Sequence, residues 1–211
     1  MEQTHPTKRA LIDAVIKLLE EKGPELITSD EVLHLSGVSR GSLYHHFVDF
    51  GDLIEAAQVR RFTRYIDESI EFLANVALAS RTRDDMRAGL AKVTRATQSA
   101  ETSDRRFERV MPFAAAAKNP RLKHRLGQEQ ERLTQALMDL VADGQNRGYF
   151  SLEFEPRVIA VMIQAYTVGK IVDDVTETHM NPESWNLMID AVLDRVFGLD
   201  GISQNRNEQT A

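Results

Sequence analysis

Apolar residues recur every three or four positions along nearly the whole chain, the spacing that places them on one face of an α-helix. The first run contains Leu11 and Val15, is preceded by Thr7 as its expected cap, and stops at Gly23. The longest run extends from Asp49 to about residue 79. No alternating stretch of Val, Ile and Thr is long enough to require a β-sheet. The pattern therefore predicts an all-α protein.

Residues that favour helix starts and turns divide the amino-terminal part of this pattern. Thr28 followed by Glu31 has the spacing of a capping box, so a helix is expected to begin there. Ser36-Gly37 is a turn signal, and Ser39 is expected to cap a short helix that ends near His46. Two short helices joined by a tight turn are typical of a helix-turn-helix.

The rest of the chain predicts further helices. Asp84 is expected to begin one of them. A proline preceded by Asn or Glu predicts three more, over residues 120–147, 156–178 and 182–197. Pro112 interrupts an otherwise helical pattern and is expected to kink or break that helix.

The second short helix carries side chains that suit DNA. Arg40 can form a forked pair of hydrogen bonds to guanine, while Ser42 and Tyr44 can reach phosphate oxygens. Thr28 lies at a helix start, where backbone N–H groups favour a phosphate. The stretch from Ser36 to Val48 contains no acidic residue.

The segments Ile27–Val32 and Ser36–Phe47 resemble the amino-terminal signature of TetR-family transcriptional regulators. The resemblance covers roughly the first quarter of the chain. It implies a three-helix DNA-binding domain over residues 1–50 and a helical effector-binding and dimerisation domain over residues 51–200. A tail at residues 201–211 is expected to be disordered.

The resemblance also implies which residues bind DNA, namely Thr28, Ser39, Arg40, Gly41, Ser42, Tyr44, His45 and His46. The chain departs from the family at one point, because Phe50 and Gly51 stand where the family usually has Lys and Glu. The missing Lys predicts a salt dependence of DNA binding that is shallower by about one unit of slope.

Two sets of apolar residues are candidates for pairing and for sensing. The last two long helices are expected to pack against a second copy through Ile163, Val168, Gly169, Val172, Met188, Val192 and Val196, although they also suit the core of a monomer. An effector pocket is expected among Met86, Leu90, Phe107, Met111, Phe113, Met138, Tyr166 and Trp185, each of which also suits plain core.

Charge is unevenly distributed along the chain. The net charge is −6, but residues 81–132 hold 13 basic and 7 acidic groups, while residues 133–200 hold 4 and 11. The arginines of the basic segment suit an anionic effector, or they pair with the acidic segment, which we favour. Asp173, Asp174, Glu177 and His179 crowd a predicted helix end and need a partner: an arginine, water or a cation.

Composition and motifs exclude several classes of protein. There is no cysteine, no run of eighteen apolar residues and no signal-type leader, so a cytoplasmic protein is expected. No catalytic motif stands out, and neither a metal nor a cofactor is predicted. The expected function is a ligand-responsive repressor that binds a palindromic operator as a homodimer and is released by a small-molecule effector. The alternative is a helical adaptor that has lost specific DNA binding.

Overall fold

The computed structural model describes residues 5–198, and within them it contains helices and no strand. The all-α prediction is confirmed. The ten α-helices are α1 (Pro6–Leu19), α2 (Ser29–Ser36), α3 (Arg40–His46), α4 (Phe50–Ala79), α5 (Arg83–Gln98), α6 (Ser103–Ala116), α7 (Pro120–Asn146), α8 (Pro156–Gly169), α9 (Ile171–Asp174) and α10 (Pro182–Val196). Short 3₁₀ helices occupy Pro24–Leu26 and Ala100–Thr102. The tail at residues 201–211 lies outside the described residues.

The predicted boundaries of the helix-turn-helix are confirmed. Thr28 Oγ1 accepts a hydrogen bond from the Glu31 N–H at 3.4 Å, and the Glu31 carboxylate accepts one from the Thr28 N–H at 2.9 Å, completing the capping box. Ser39 caps α3 by accepting from the Ser42 N–H. Gly37 ends α2 with a φ of 67°, a left-handed conformation in which a side chain is strained.

Three boundaries differ from the predicted ones. The first helix begins at Pro6 rather than after Thr7, because His5 caps it and proline suits the first helical position. Thr82, with Asp85 three positions on, caps α5 in place of Asp84. Pro112 does not end α6, which continues to Ala116.

The helix predicted over residues 156–178 is shorter. It ends at Gly169, and only the single turn of α9 follows it. A helical glycine is unfavourable, and Asp173 and Asp174 would oppose the dipole at the end of a longer helix. Beginning a new turn at Ile171 places both acids in its first turn instead.

The chain forms two compact units. One contains the residues up to Tyr65 together with Ala114–Glu129, and the other contains Ile66–Phe113 and the residues from Gln130 onward. Both α4 and α7 contribute residues to each unit. The first unit has a core of buried aliphatic and aromatic side chains from α1 to α4, including Leu11, Val15, Val32, Leu43, Phe47 and Leu53. The functional division expected at residue 50 remains a prediction.

In the second unit, α5 packs against both α8 and α10. Ala91, Ile189 and Leu193 form a small buried cluster there, with Tyr166 and Trp185 packed against it. Among the described residues, no helix is both long and apolar enough to cross a membrane.

Candidate nucleic-acid interface

The third helix has one buried face and one exposed face. Leu43 is fully buried and Phe47 is 3% exposed, which fixes α3 on the core of the first unit. Arg40, Gly41, Tyr44 and His45 are exposed, and Tyr44 retains half of its surface. A helix anchored along one side and polar along the other can enter a DNA groove without unfolding.

The start of α3 is held by its own hydroxyl groups. Ser39 Oγ accepts from the Ser42 N–H at 3.2 Å and lies 3.0 Å from Ser42 Oγ. Both side chains predicted to bind DNA at this position therefore also position the helix. Each hydroxyl keeps lone pairs or a proton with which to approach a phosphate.

Arg40 is paired with an acid of α2. Its guanidinium donates to Asp30 Oδ1, and the two side chains are 58% and 82% exposed. An ion pair this exposed contributes little to stability and exchanges readily. To reach a base, Arg40 must break its ion pair with Asp30. The sequence pattern did not predict this pair, because Asp30 lies outside the stretch that contains no acidic residue.

Thr28 is also engaged. Its hydroxyl lies 2.7 Å from Glu31 Oε2, and Lys22 Nζ lies 2.6 Å from Glu31 Oε1. Hydrogen bonds from Lys22 and then Thr28 lower the pKa of Glu31 to about 2, so this carboxylate is charged at neutral pH. Phosphate approaching Thr28 therefore meets a negative charge that Lys22 partly balances.

Histidines line the end of α3. The rings of His5 and His46 lie 4.8 Å apart and those of His45 and His46 5.1 Å apart. Desolvation, then the positive charges of His5, His45 and Lys8, hold the pKa of His46 below its ordinary value of 6.5. In the described residues, no group of three or more His, Cys, Asp or Glu side chains is arranged to hold a metal.

The departure at Phe50 has a structural counterpart. Phe50 packs against the core of the first unit, so an apolar contact occupies the position where the family places a lysine. Arg121, from the start of α7, lies beside the neighbouring Gly51, since a Cβ added to Gly51 would lie 3.9 Å from Arg121 Nη2. A positive group is therefore present at this end of α4, supplied by another helix.

Arg121 belongs to an ion-pair cluster that joins the first turns of α4 and α7. It donates to Glu55 Oε2 at 2.7 Å and to Glu55 Oε1 at 2.8 Å, and Arg125 lies 2.8 Å from Asp52 Oδ1. Burial alone raises the pKa of Glu55, but hydrogen bonds from Arg121 and Asn119 and the charges of Arg121 and Arg125 outweigh it, so the pKa lies below its ordinary value.

The candidate effector residues are spread over the second unit. Met86 and Leu90 are buried, while Phe107, Phe113, Met138, Tyr166 and Trp185 are partly buried. Met111 is 60% exposed and does not line the interior, because it lies on the outer side of α6. Tyr166 Oη lies 2.8 Å from Thr94 Oγ1, a neighbour that the sequence did not indicate.

The candidate pairing residues lie mostly at the surface. Val172 and Met188 are exposed, Gly169 is exposed, and Ile163, Val168 and Val192 are partly buried. Val196 is 6% exposed and belongs to the interior of its own chain. Further exposed apolar side chains lie on α8 and α10, namely Val158, Val161 and Leu187. Their exposure depends on how the helices pack, and the sequence pattern does not reveal it.

The two oppositely charged segments pair with each other, as favoured above. Arg87 lies 2.5 Å from Asp194, Arg95 lies 2.6 Å from Asp190, and Arg106 lies 2.5 Å from Asp174. Asp174 also lies 3.1 Å from Lys170. The acidic cluster at the end of α8 thus has an arginine and a lysine as partners.

Comparison with known protein families gives a match to the amino-terminal helices. Residues 11–57 match the model of bacterial regulatory proteins, tetR family. No curated protein matches the chain. Among solved structures, the chain is similar to Salmonella enterica GusR, with a TM-score of 0.66, 18% identity, and coverage of 94% of this chain and 100% of that one.

Two other solved structures share the fold. FadR from Bacillus subtilis in complex with stearoyl-CoA has a TM-score of 0.63 and 16% identity, with coverage of 88% and 96%. A protein of Mesorhizobium loti, described as a TetR-family transcriptional regulator, has a TM-score of 0.67 and 15% identity, with coverage of 92% and 96%. Since the family match coincides with the helix-turn-helix and its exposed α3, residues 11–57 form a helix-turn-helix domain that matches the tetR family of bacterial regulatory proteins.

Proposed function

We propose that this TetR-family regulator is a ligand-responsive repressor that binds a palindromic operator as a homodimer. The observation that carries the DNA-binding part is the two-sided α3, with Leu43 and Phe47 buried and Arg40, Tyr44 and His45 exposed. Arg40 and His45 face base edges, and Tyr44, Ser42 and Thr28 contact phosphates. Repression follows when the bound dimer blocks transcription from the adjacent promoter.

Pairing is supported by exposed apolar side chains on two helices of the second unit. Val158 and Val161 on α8 are exposed, as are Leu187 and Met188 on α10. Exposed aliphatic side chains on two helices that both pack against α5 favour an interface over a solvated surface. A second copy of the chain is the proposed occupant, because one helix-turn-helix reads too few bases and two related by a twofold axis read a palindrome.

Release by an effector requires unequal affinities. An effector shifts the repressor off its operator only if it binds the DNA-incompetent arrangement more tightly than the DNA-bound one. The second unit is the proposed location of the effector.

Selection from a random duplex library tests DNA binding without knowing the operator. Wild-type protein is expected to enrich an inverted repeat. Arg40→Ala is expected to lose about 1–3 kcal/mol of binding and to relax one base position in each half-site. Tyr44→Phe removes one phosphate contact and is expected to weaken binding to all sequences alike.

Exposed Arg64 on α4 offers a matched control for Arg40, since Arg64→Ala removes the same charge away from α3. The proposed function loses its support if the wild type enriches no sequence, or if wild type and Arg40→Ala bind DNA equally well. Either result would favour a helical adaptor.

A further inference from the structure

Two side chains in the second unit have buried hydrogen-bonding atoms without a partner among the described residues. Gln98, at the end of α5, is 5% exposed, and neither its Oε1 nor its Nε2 is paired. The indole Nε1 of Trp185 on α10 is likewise buried and unpaired. Burying such groups is unfavourable unless a partner is supplied, so each marks a place where a ligand would gain hydrogen bonds.

The two groups lie at the same end of one helix pair. The ion pairs Arg87–Asp194 and Arg95–Asp190 fix α5 antiparallel to α10. This register brings the last turn of α5, with Gln98, beside the first turn of α10, with Trp185.

Thr94, Tyr166 and Ala91 also contribute to the region around Gln98 and Trp185. Thr94 lies one turn before Gln98 and is hydrogen-bonded to Tyr166, whose pKa is raised by burial. Tyr166 and Trp185 pack against the same apolar cluster as Ala91 of α5. The region therefore combines aromatic surface, a neutral phenol and three unpaired hydrogen-bonding atoms.

The adjacent buried cation is already neutralised. Arg106 donates to both carboxylate oxygens of Asp174, at 2.5 and 2.8 Å. Its remaining nitrogen donates to the carbonyls of Thr97 and Ser99, which flank Gln98, and to Thr102 Oγ1. A guanidinium with its donors committed in this way does not offer a binding charge to a carboxylate or phosphate ligand.

We propose that Gln98 and Trp185 bind an uncharged ligand that carries an N–H beside a carbonyl, a carboxamide or lactam on an apolar body. The ligand carbonyl accepts from Gln98 Nε2 and from Trp185 Nε1, and the ligand N–H donates to Gln98 Oε1. A carboxylate lacks the donor and a ketone satisfies only part of the set. This inference rests on the proposed function, since it gives the chemical class of the effector.

Three probes of similar shape test the chemistry: benzamide, benzoate and acetophenone. The chain has a single tryptophan, so its indole N–H gives one cross-peak in a ¹H–¹⁵N spectrum. Benzamide is expected to move this peak downfield and saturably, with a Kd on the order of 1 mM for so small a ligand. Acetophenone is expected to bind about fivefold more weakly, and benzoate to leave the peak in place.

Gln98→Met distinguishes a ligand-binding amide from a structural one. Because the Gln98 amide has no partner, replacing it with an apolar side chain of similar length is expected to raise the melting temperature. The same change is expected to weaken benzamide binding at least fivefold. Gln135→Met is the matched control, since Gln135 is exposed on α7 and paired with Asp139. It is expected to leave benzamide affinity unchanged.

The inference is wrong if benzamide leaves the indole peak in place, if benzoate binds as tightly as benzamide, or if Gln98→Met binds benzamide like the wild type. Operator binding measured on the same protein keeps the two proposals apart. Enrichment of an inverted repeat without benzamide binding overturns the ligand assignment alone. Benzamide binding without any DNA sequence preference overturns the repressor proposal and leaves the proposed ligand site standing.

Discussion

Two of the side chains that would meet DNA have partners before DNA arrives. Arg40 is paired with Asp30, and Thr28 is held by Glu31. When either of these two side chains binds a phosphate or base, the new contact replaces or competes with an existing one, so its net gain is smaller than that of an unpaired group. Together with the overall charge of −6, this predicts weak non-specific binding and reliance on base contacts.

Asp30→Asn is expected to strengthen binding to random duplex DNA several-fold at low salt, because Arg40 no longer has to leave a carboxylate. The same substitution is expected to steepen the dependence of log K on log salt by up to about one unit. Fluorescence anisotropy across a salt series measures both. Asp13→Asn, a change of equal charge on α1, serves as the control. An identical effect of the two variants would mean that net charge alone is responsible.

The depressed pKa of His46 predicts opposite pH trends for folding and for DNA binding. In the folded protein His46 gains its proton at a lower pH than in the unfolded chain. Its contribution to stability is therefore complete above about pH 6.5 and is lost as the pH falls through the folded pKa. DNA phosphates favour the protonated imidazole ring, so the affinity for DNA is expected to rise as the pH falls over the same range.

Denaturant unfolding and anisotropy between pH 5 and 8 measure these two trends, with His46→Gln as the comparison. If His46→Gln keeps both pH dependences of the wild type, another group is responsible for them.

At the scale of the helix, the turn between α2 and α3 depends on one backbone angle. Gly37 has a φ of 67°, and a side chain there would meet no atom within 4 Å, so only the conformation excludes other residues. Gly37→Ala is expected to cost about 1–2 kcal/mol, and Gly37→Asn less, since Asn tolerates this conformation. Hydrogen exchange of the α2 and α3 amides in the full chain measures the loss. Equal protection of the amides from exchange in the two variants would contradict the conformational explanation.

The cluster between α4 and α7 makes a second prediction at this scale. Arg121→Met leaves the buried Glu55 carboxylate with fewer partners and is expected to cost about 2–4 kcal/mol of unfolding free energy. Adding Glu55→Gln is expected to recover part of the loss. The lowered pKa of Glu55 means that wild-type stability from this pair is present above about pH 4.5 and is lost as the pH falls through the folded value.

Lys123→Met, an exposed change two residues further along α7, is the control for Arg121→Met. Chemical denaturation at pH 7 and pH 4 compares the four proteins. A cost that is the same at both pH values would show that the charge of Glu55 is not involved.

Local signals predicted the helix-turn-helix correctly, although the caps expected at Thr7 and Asp84 were wrong. The Thr28–Glu31 capping box, the Ser39 cap and the Gly37 turn depend on residues three or four positions apart, and all three are confirmed. Asp30 as partner of Arg40 and Thr94 as partner of Tyr166 were not predicted, because these pairs depend on tertiary packing. Gln98 gave no signal in the sequence either, since an unpaired amide is recognisable only once its burial is known.

At the scale of the whole molecule, the proposed dimer predicts that DNA binding depends on a surface far in sequence from α3. Leu187→Glu with Met188→Glu places charges on the exposed face of α10 and is expected to give monomers that lose operator binding. Leu78→Glu alters an equally exposed leucine at the end of α4 and is expected to leave the dimer intact. Light scattering with size-exclusion chromatography measures the mass, and a dimer in the double variant would exclude this face.

The pairing of early arginines with late aspartates also has a consequence for the order of synthesis. Arg87 and Arg95 leave the ribosome about a hundred residues before Asp194 and Asp190. Until α10 emerges, these arginines lack their counter-charges, Ala91 lacks its neighbours Ile189 and Leu193, and Phe150 lacks the ring of Phe197. The second unit therefore cannot complete its fold until α10 has been synthesised, and nascent chains that stop before α10 leave Arg87, Arg95 and Ala91 without these neighbours.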